Sequence, residues 1–459
     1  MNRTEELEKS NVIKLLIKFS IPGIIGMLVT VMYSLVDRIF VGKYVGEMQL
    51  SGVGITFPIT NIIMAFGMLA GIGAAAVISI KLGQHKKDDA EKVMGNSFIL
   101  LIIFSLLITI FGLIFLEPIL IAFGAGPNTL PYAKEFGTII LLGVIVQNIG
   151  FGLNNIIRAE GNPRTAMLTM LIGALINFIA NPTLIFIFKL GVRGSALSTV
   201  ISQTVTTVWT LSYFVGSKSL LKLRKKYFKL DMKVIKEILA IGMSPFAMQL
   251  AASLVTVAYN KSLAVYGGEL AIGAMTIVNM ISMVFLMPIF GINQGAQPII
   301  GYNYGAQNID RVKKALKYAA IGATVITTLG WIFVELFPTQ MFAIFNNDVK
   351  LINMGSRGLK IFLAVFPILG FSIVFTNYFQ AVAKAKLSMI LSLLRQVIVL
   401  LPLILILPRY FSLDGVWMAQ PISDLISTII TVIFMAVELK KLKEIQNVKT
   451  SNNEEERVC

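Results

Sequence analysis

Long apolar runs dominate this sequence, separated by short charged or turn-forming stretches, and that pattern leaves few folds open. Twelve runs fall at 14–40, 52–80, 94–116, 132–157, 165–188, 194–216, 235–264, 271–300, 315–337, 357–380, 387–408 and 415–438. A helix of about 20 apolar residues crosses the hydrocarbon core of a bilayer. Composition agrees. Charged residues make up 14% and hydrophobic residues 56% of 459 residues, where a soluble domain carries about a quarter charged. The expectation is an all-α polytopic membrane protein, with twelve transmembrane helices in two pseudo-symmetric six-helix bundles around a central cavity.

The net charge of +16 reports topology, not nucleic-acid binding. Even-numbered spans put both ends of the chain on one side. About 29 of the 40 basic residues lie at 1–18, 81–92, 158–164, 218–236, 311–317, 384–386 and in the tail, which makes that side cytoplasmic. The opening MNRTEELEKSN has no cleavable signal pattern, so both termini are expected in the cytoplasm of a cell whose plasma membrane holds the chain. The stretch KSLLKLRKKYFKLDMKVIK is expected to lie on the anionic inner leaflet. Boundaries follow: a first lobe over 1–217, a basic linker over 218–234, a second lobe over 235–438 and a tail over 439–459. Cys459 is the single cysteine and His85 the single histidine, in a loop, so neither a disulfide framework nor a metal site is expected. No G-x-x-x-x-G-K-[ST] stretch is present, so ATP hydrolysis is not expected. Without clustered acids or histidines or a nucleophile, an enzyme is not expected either.

The two halves repeat at a shift near 222. KLGQHKKDDAEKV falls on GYNYGAQNIDRVKKA with Gly83 on Gly305 and Asp88 on Asp310; IIRAEGNPRTAM falls on YFQAVAKAKLSM; Pro22 falls within one residue of Pro245; Gly194 falls on Gly415. Six helices repeated in one orientation imply two bundles related by an axis along the membrane normal, an arrangement suited to alternating access.

Acids inside the spans are few. Glu117 and Glu335 sit at ends of runs; Asp37 and Asp424 lie well inside. An intramembrane acid marks a functional site by default. Tyr33 stands one turn before Asp37, Asn177 and Asn181 are one turn apart in INFIANP, and Thr199 and Asn154 lie in neighbouring runs. One polar pocket could gather them. Burial favours the neutral aspartic acid and hydrogen bonds favour the carboxylate, so a balance lets the group gain and lose a proton. In the second half Asn260 takes the place of Asp37 and cannot titrate. Asp424 is a second candidate acid, with bridging between helices as its plain alternative. Gln249, Asn260, Asn293, Gln294, Asn377 and Gln380 are candidate substrate contacts; Gln297 and Pro298 follow in a loosened stretch. Buried amides more often bond helices together.

The motifs VDRIFVG after a proline-bearing first helix, RAEGNPRTAM, GINQGAQPIIGYNYGAQNIDRV and GVWMAQPISD resemble those of the MATE (multidrug and toxic compound extrusion) family, and the resemblance spans the chain. It implies a secondary antiporter that exports amphipathic, often cationic, organic compounds in exchange for H⁺ or Na⁺, as a monomer in the lipid bilayer. Asp37 then matches the coupling acid, with Tyr33, Asn154, Asn177 and Thr199 as polar neighbours. The family often has aspartate where this chain has Asn181, and some members carry an acid after the span-7 proline, where this chain reads SPFAMQLAAS. Fewer acids weaken a cage of hard oxygen ligands for Na⁺ and favour H⁺. The alternative is a flippase for lipid-linked or polysaccharide substrates, which would want basic residues in the spans; Arg38, Lys261 and Arg395 are the available ones.

Overall fold

In the computed structural model of this chain, residues 3–40, 47–345 and 347–458 are described, the side chains of 3, 33–40, 47, 445 and 447–458 excepted. The first half runs α1 (Arg3–Lys9), α2 (Val12–Phe40), α3 (Glu47–Ile55), α4 (Phe57–Gly83), α5 (Lys87–Ile114), α6 (Leu116–Ala122), α7 (Leu130–Ala159), α8 (Pro163–Pro182) and α9 (Gly191–Val215). The second runs α10 (Met232–Gly305), α11 (Ile309–Leu336), α12 (Pro338–Ala343), α13 (Val349–Phe362), α14 (Phe366–Ala381), α15 (Ala385–Leu393), α16 (Leu401–Ile406) and α17 (Pro408–Val458). Among the described residues nine helices are long and apolar enough to cross a membrane, ten when α13 and α14, bent by 51°, count as one span. α10 breaks into two helices at Gly268, whose φ of 69° no helix tolerates. α9 is 25 residues long but rich in Ser and Thr, and it completes the twelve.

The sequence repeat has a geometric counterpart in the turns. Non-glycine residues with left-handed backbone are rare. Here His85 and Gln307 share that conformation at a shift of 222, and Gly161 and Ala383 share it at the same shift. Lys189 and Ser412 do so at 223, and Ser412 is where α17 breaks. Each reverses the chain between two spans, so equivalent connections turn the same way in both halves.

The halves meet along α2, α4 and the two parts of α10, and the contacts come in symmetry-related pairs. A Cβ on Gly83 would fall on Tyr302 O, and one on Gly305 would fall on Ile80 O. Gly73 lies against Ile238 and Gly242; its counterpart Gly295 lies against Phe19 and Ser20, where a Cβ would sit 2.7 Å from Ser20 N. This is the reciprocal contact a two-fold arrangement requires. The contacts lie in the later turns of α4 and of the second part of α10, and in the early turns of α2 and of the first part of α10. They therefore close the seam at the end of the molecule bearing the basic loops, called the basic end below. α1 straps the same end. Arg311 donates to Leu7 O at 3.0 Å and Ser10 O at 2.7 Å, and Asn303 to Leu7 O at 3.2 Å.

The basic linker is docked on protein and not loose. Glu160 accepts from Ser219 Oγ at 2.8 Å and Leu221 N at 3.1 Å, and Glu91 accepts from Lys222 N at 3.1 Å and pairs with Arg224 Nε at 2.8 Å. Asn96 takes Asp231 N at 2.7 Å, while Lys92 Nζ reaches Asp231 at 2.5 Å. That ammonium, with the Lys233 N–H, holds the Asp231 carboxyl below its ordinary value of 3.8. The backbone faces α5 and α7, while Lys218, Lys225, Lys226 and Lys229 stay exposed.

Candidate functional site

Asp37 and Tyr33 lie on α2, near the end of that helix remote from the basic loops; their side chains fall outside the described residues, as does Arg38. The other candidate residues of the first half are described. α8 starts from a capped Asn162–Pro163 corner and carries Asn177 and Asn181 on one face, both buried. Asn177 Nδ2 reaches Ser198 Oγ of α9 at 3.5 Å, and Ser198 and Thr199 both bond back to Ser195 O, at 2.8 and 3.1 Å. Asn177, Ser198 and Thr199 thus form one polar layer between α8 and α9, with Asn181 a turn away. Directly after Asn181 and Pro182 the chain winds as a π-helix, Thr183–Ile187. Such wide turns often accompany functional sites.

Asn154 does not join that layer. Its Nδ2 donates to Ala166 O at 2.9 Å, near the start of α8. Ala166 and Asn181 are fifteen residues apart on α8, which at 1.5 Å per residue is about 22 Å. The spacing within each helix was legible, but the height at which α7 meets α8 was not. Asn154 ties two helices near the basic end.

Asp424 is a bridging residue. Arg395 Nε donates to it at 2.7 Å, Gln420 Nε2 donates to both its oxygens at 3.1 Å, and Ser423 Oγ bonds to Arg395 O at 2.7 Å. Arg395 stands at the start of a second π-helical stretch, Leu394–Leu400. This pairing answers the charge of Arg395, one of the three basic residues that the flippase reading needed. Asn260 and Lys261 are exposed.

The remaining amides divide by role. Gln249 Nε2 donates across the seam to Asn61 Oδ1 at 3.2 Å, and Asn61 Nδ2 to Ser253 Oγ at 3.3 Å. Asn377 Nδ2 bonds to Ile373 O of its own helix at 3.0 Å, and Gln380 is buried. Gln294 accepts from Arg158 at 2.8 Å, whereas buried Asn293 Nδ2 and Gln297 Nε2 have no acceptor among the described residues. Sequence reasoning counted Arg158 only toward topology and passed over Glu91 and Glu160. The overlooked signal was an acid at the end of a span, adjoining a lysine-rich connection. No group of three or more His, Cys, Asp or Glu able to hold a metal occurs among the described residues.

Twelve spanning helices in two reciprocal halves, with isolated polar layers inside, define a polytopic membrane protein of the pseudo-symmetric, inwardly polar kind. A sequence model of the MatE family matches the chain twice, over 22–183 and 245–406, a shift of 223 at both ends. The chain belongs to the MatE family. Multidrug export protein MepA of Staphylococcus aureus (strain MRSA252) is 28% identical over 409 residues, covering 89% of this chain and 90% of the relative. MepA of Staphylococcus saprophyticus subsp. saprophyticus is 28% identical over 414 residues, with the same coverage. Among solved structures, MATE in complex with MaL6 aligns at TM-score 0.91 and 26% identity, over 96% of this chain and 99% of that one. An outward-facing multidrug resistance MATE family transporter aligns at TM-score 0.89 and 26% identity, over 96% and 98%.

Proposed function

We propose that this protein exports amphipathic, often cationic, organic compounds across the plasma membrane in exchange for a cation, with H⁺ favoured over Na⁺. The observation that carries the reading is the MatE match in both halves, beside relatives named as multidrug exporters. In this reading it acts as a monomer with both termini cytoplasmic, needs no ATP and catalyses no covalent step. The lobes are residues 1–217 and 235–438, joined by 218–234 and followed by the tail.

Asp37 is the coupling acid. The layer of Asn177, Ser198 and Thr199, with Asn181 beside it, supplies neutral hydrogen-bonding groups and no second carboxylate. Such a set suits a proton-binding carboxyl better than a cage for Na⁺. With the seam closed at the basic end, the remote end of the first lobe faces outside. A proton taken up there neutralises Asp37 and weakens the hold on a cationic drug. Opening at the basic end returns the proton to the cytoplasm and admits new drug. The proton drives this cycle only if it binds the two conformations unequally. Ethidium efflux from proteoliposomes tests the reading, under an imposed pH gradient and separately a Na⁺ gradient. Proton-driven efflux abolished in Asp37→Asn, with protein level intact, is the expected result. Efflux driven by Na⁺ alone overturns the ion assignment, full activity in Asp37→Asn overturns the residue, and no transport of any organic cation overturns the function.

A further inference from the structure

Arg158 is an anomaly. It is 7% exposed, at the end of α7 on the seam between the halves. Its Nη1 donates to Gln294 Oε1 of the second half at 2.8 Å and its Nη2 to Asn155 Oδ1 of the first half at 2.8 Å. Nη1 also faces Met170 Sδ at 3.9 Å. A guanidinium has five donors, and the two amide oxygens leave part of that capacity unused. No ion pair to Arg158 occurs among the described residues, and Asp37 stands at the far end of α2. Two other basic side chains at this end of the molecule are answered by acids: Arg224 by Glu91 and Lys384 by Glu438. Amide dipoles satisfy hydrogen bonds but do not cancel a net charge, and an unpaired buried charge is strongly unfavourable.

The surroundings are built for an anion. A cavity of about 10 Å³ lies beside Arg158, walled by Ala75, Ser79 and Asn155 from one half and Gln294, Gln297 and Pro298 from the other. Gln297 Nε2, a donor, has no acceptor. The space is that of one small body, a water molecule or a monatomic ion, and is narrower than a phosphate or an organic carboxylate needs. A cation is excluded by the guanidinium. We infer that this seam cavity is a halide site, in which a chloride ion is held by Arg158 and the Gln297 amide between the two halves.

Because both halves line it, the ion is bound only while the seam is closed at the basic end. Halide then favours that conformation by mass action. When the halves part, water hydrates the guanidinium and the ion leaves. The site does not depend on which compound the protein exports.

Bromide tests this directly. Crystals grown in bromide should show an anomalous peak within hydrogen-bond distance of Arg158 and Gln297 Nε2. At constant ionic strength, replacing gluconate by bromide should raise the Tm of the wild type by about 2 °C. Arg158→Gln should lose that rise. Gln297→Leu keeps the Arg158–Gln294 hydrogen bond and should lose most of it, which preserves the test if Arg158→Gln does not fold. A non-anomalous peak fitted by water overturns the proposal. So does a wild-type Tm indifferent to bromide, or an equal rise in Gln297→Leu.

Discussion

At the scale of single residues, the second half shows what an intramembrane acid does when it is answered. Asp424 is 5% exposed in its side chain and Arg395 28%, so removing one partner strands the other in a poorly hydrated site. Arg395→Leu should therefore cost about 3 kcal/mol in thermal or denaturant unfolding, and Arg395→Leu/Asp424→Leu much less. Ethidium efflux retained in the double variant would mark the pair as structural; its loss would make Asp424 part of coupling. The acid was legible in the sequence, its partner was not: Arg395 lies 29 residues earlier, on a helix whose height against α17 is set by packing alone. Asp231 behaves differently, being at the surface. Its folded pKa is depressed, so the docking it contributes is complete above the unfolded value and is lost as pH falls through the folded one. Protection from hydrogen exchange over 224–231, taken relative to the intrinsic rate at each pH, should be high at neutral pH and fall below about pH 4, and Asp231→Asn should show the lower protection at neutral pH as well.

At the scale of elements, the twelve spans were readable because hydrocarbon imposes one rule on every one of them, and most observed ends differ from expected ones by a few residues. The tenth span, however, begins at Val349 and is broken between α13 and α14, and α17 runs on through the expected tail to Val458. The break at Gly268 fell between the expected seventh and eighth spans. The docked linker was not readable, because its anchors Glu91 and Glu160 belong to other elements. Each half also ties its fourth span to its sixth at the basic end, with the partners exchanged. In the first half Tyr213 of α9 donates to Glu160, after α7; in the second Tyr378 of α14 donates to Glu438 of α17 at 3.1 Å. Asn162 bonds to Tyr213 at 3.0 Å, and Lys384, 222 residues on, bonds to Glu438 at 2.6 Å. An exchange like this preserves the tie while leaving no sequence match to find. Glu438→Leu leaves Lys384 at the helix end without its counter-charge and should loosen α14 from α17, lowering Tm more than Tyr378→Phe, which loses one hydrogen bond.

At the scale of the whole molecule, closure of the basic end rests on the seam and on α1. Arg311→Ala removes two hydrogen bonds that hold α1 to the second half. Spin labels across that end should then report a larger open population than in the wild type; an unchanged distance distribution would mean α1 carries no part of closure. The seam has a further consequence, which belongs to genetics. Gly26 abuts Met170 and Gly143 abuts Val200, so a larger residue there can be accommodated by a smaller neighbour. Gly83 abuts Tyr302 O, and Gly305 abuts Ile80 O, and no mutation trims a carbonyl. A screen for intragenic suppressors of Gly83→Ala should therefore return reversion at codon 83, whereas suppressors of Gly143→Ala should map to codon 200. The two halves, though free to drift apart elsewhere since their duplication, are barred from drifting where they touch.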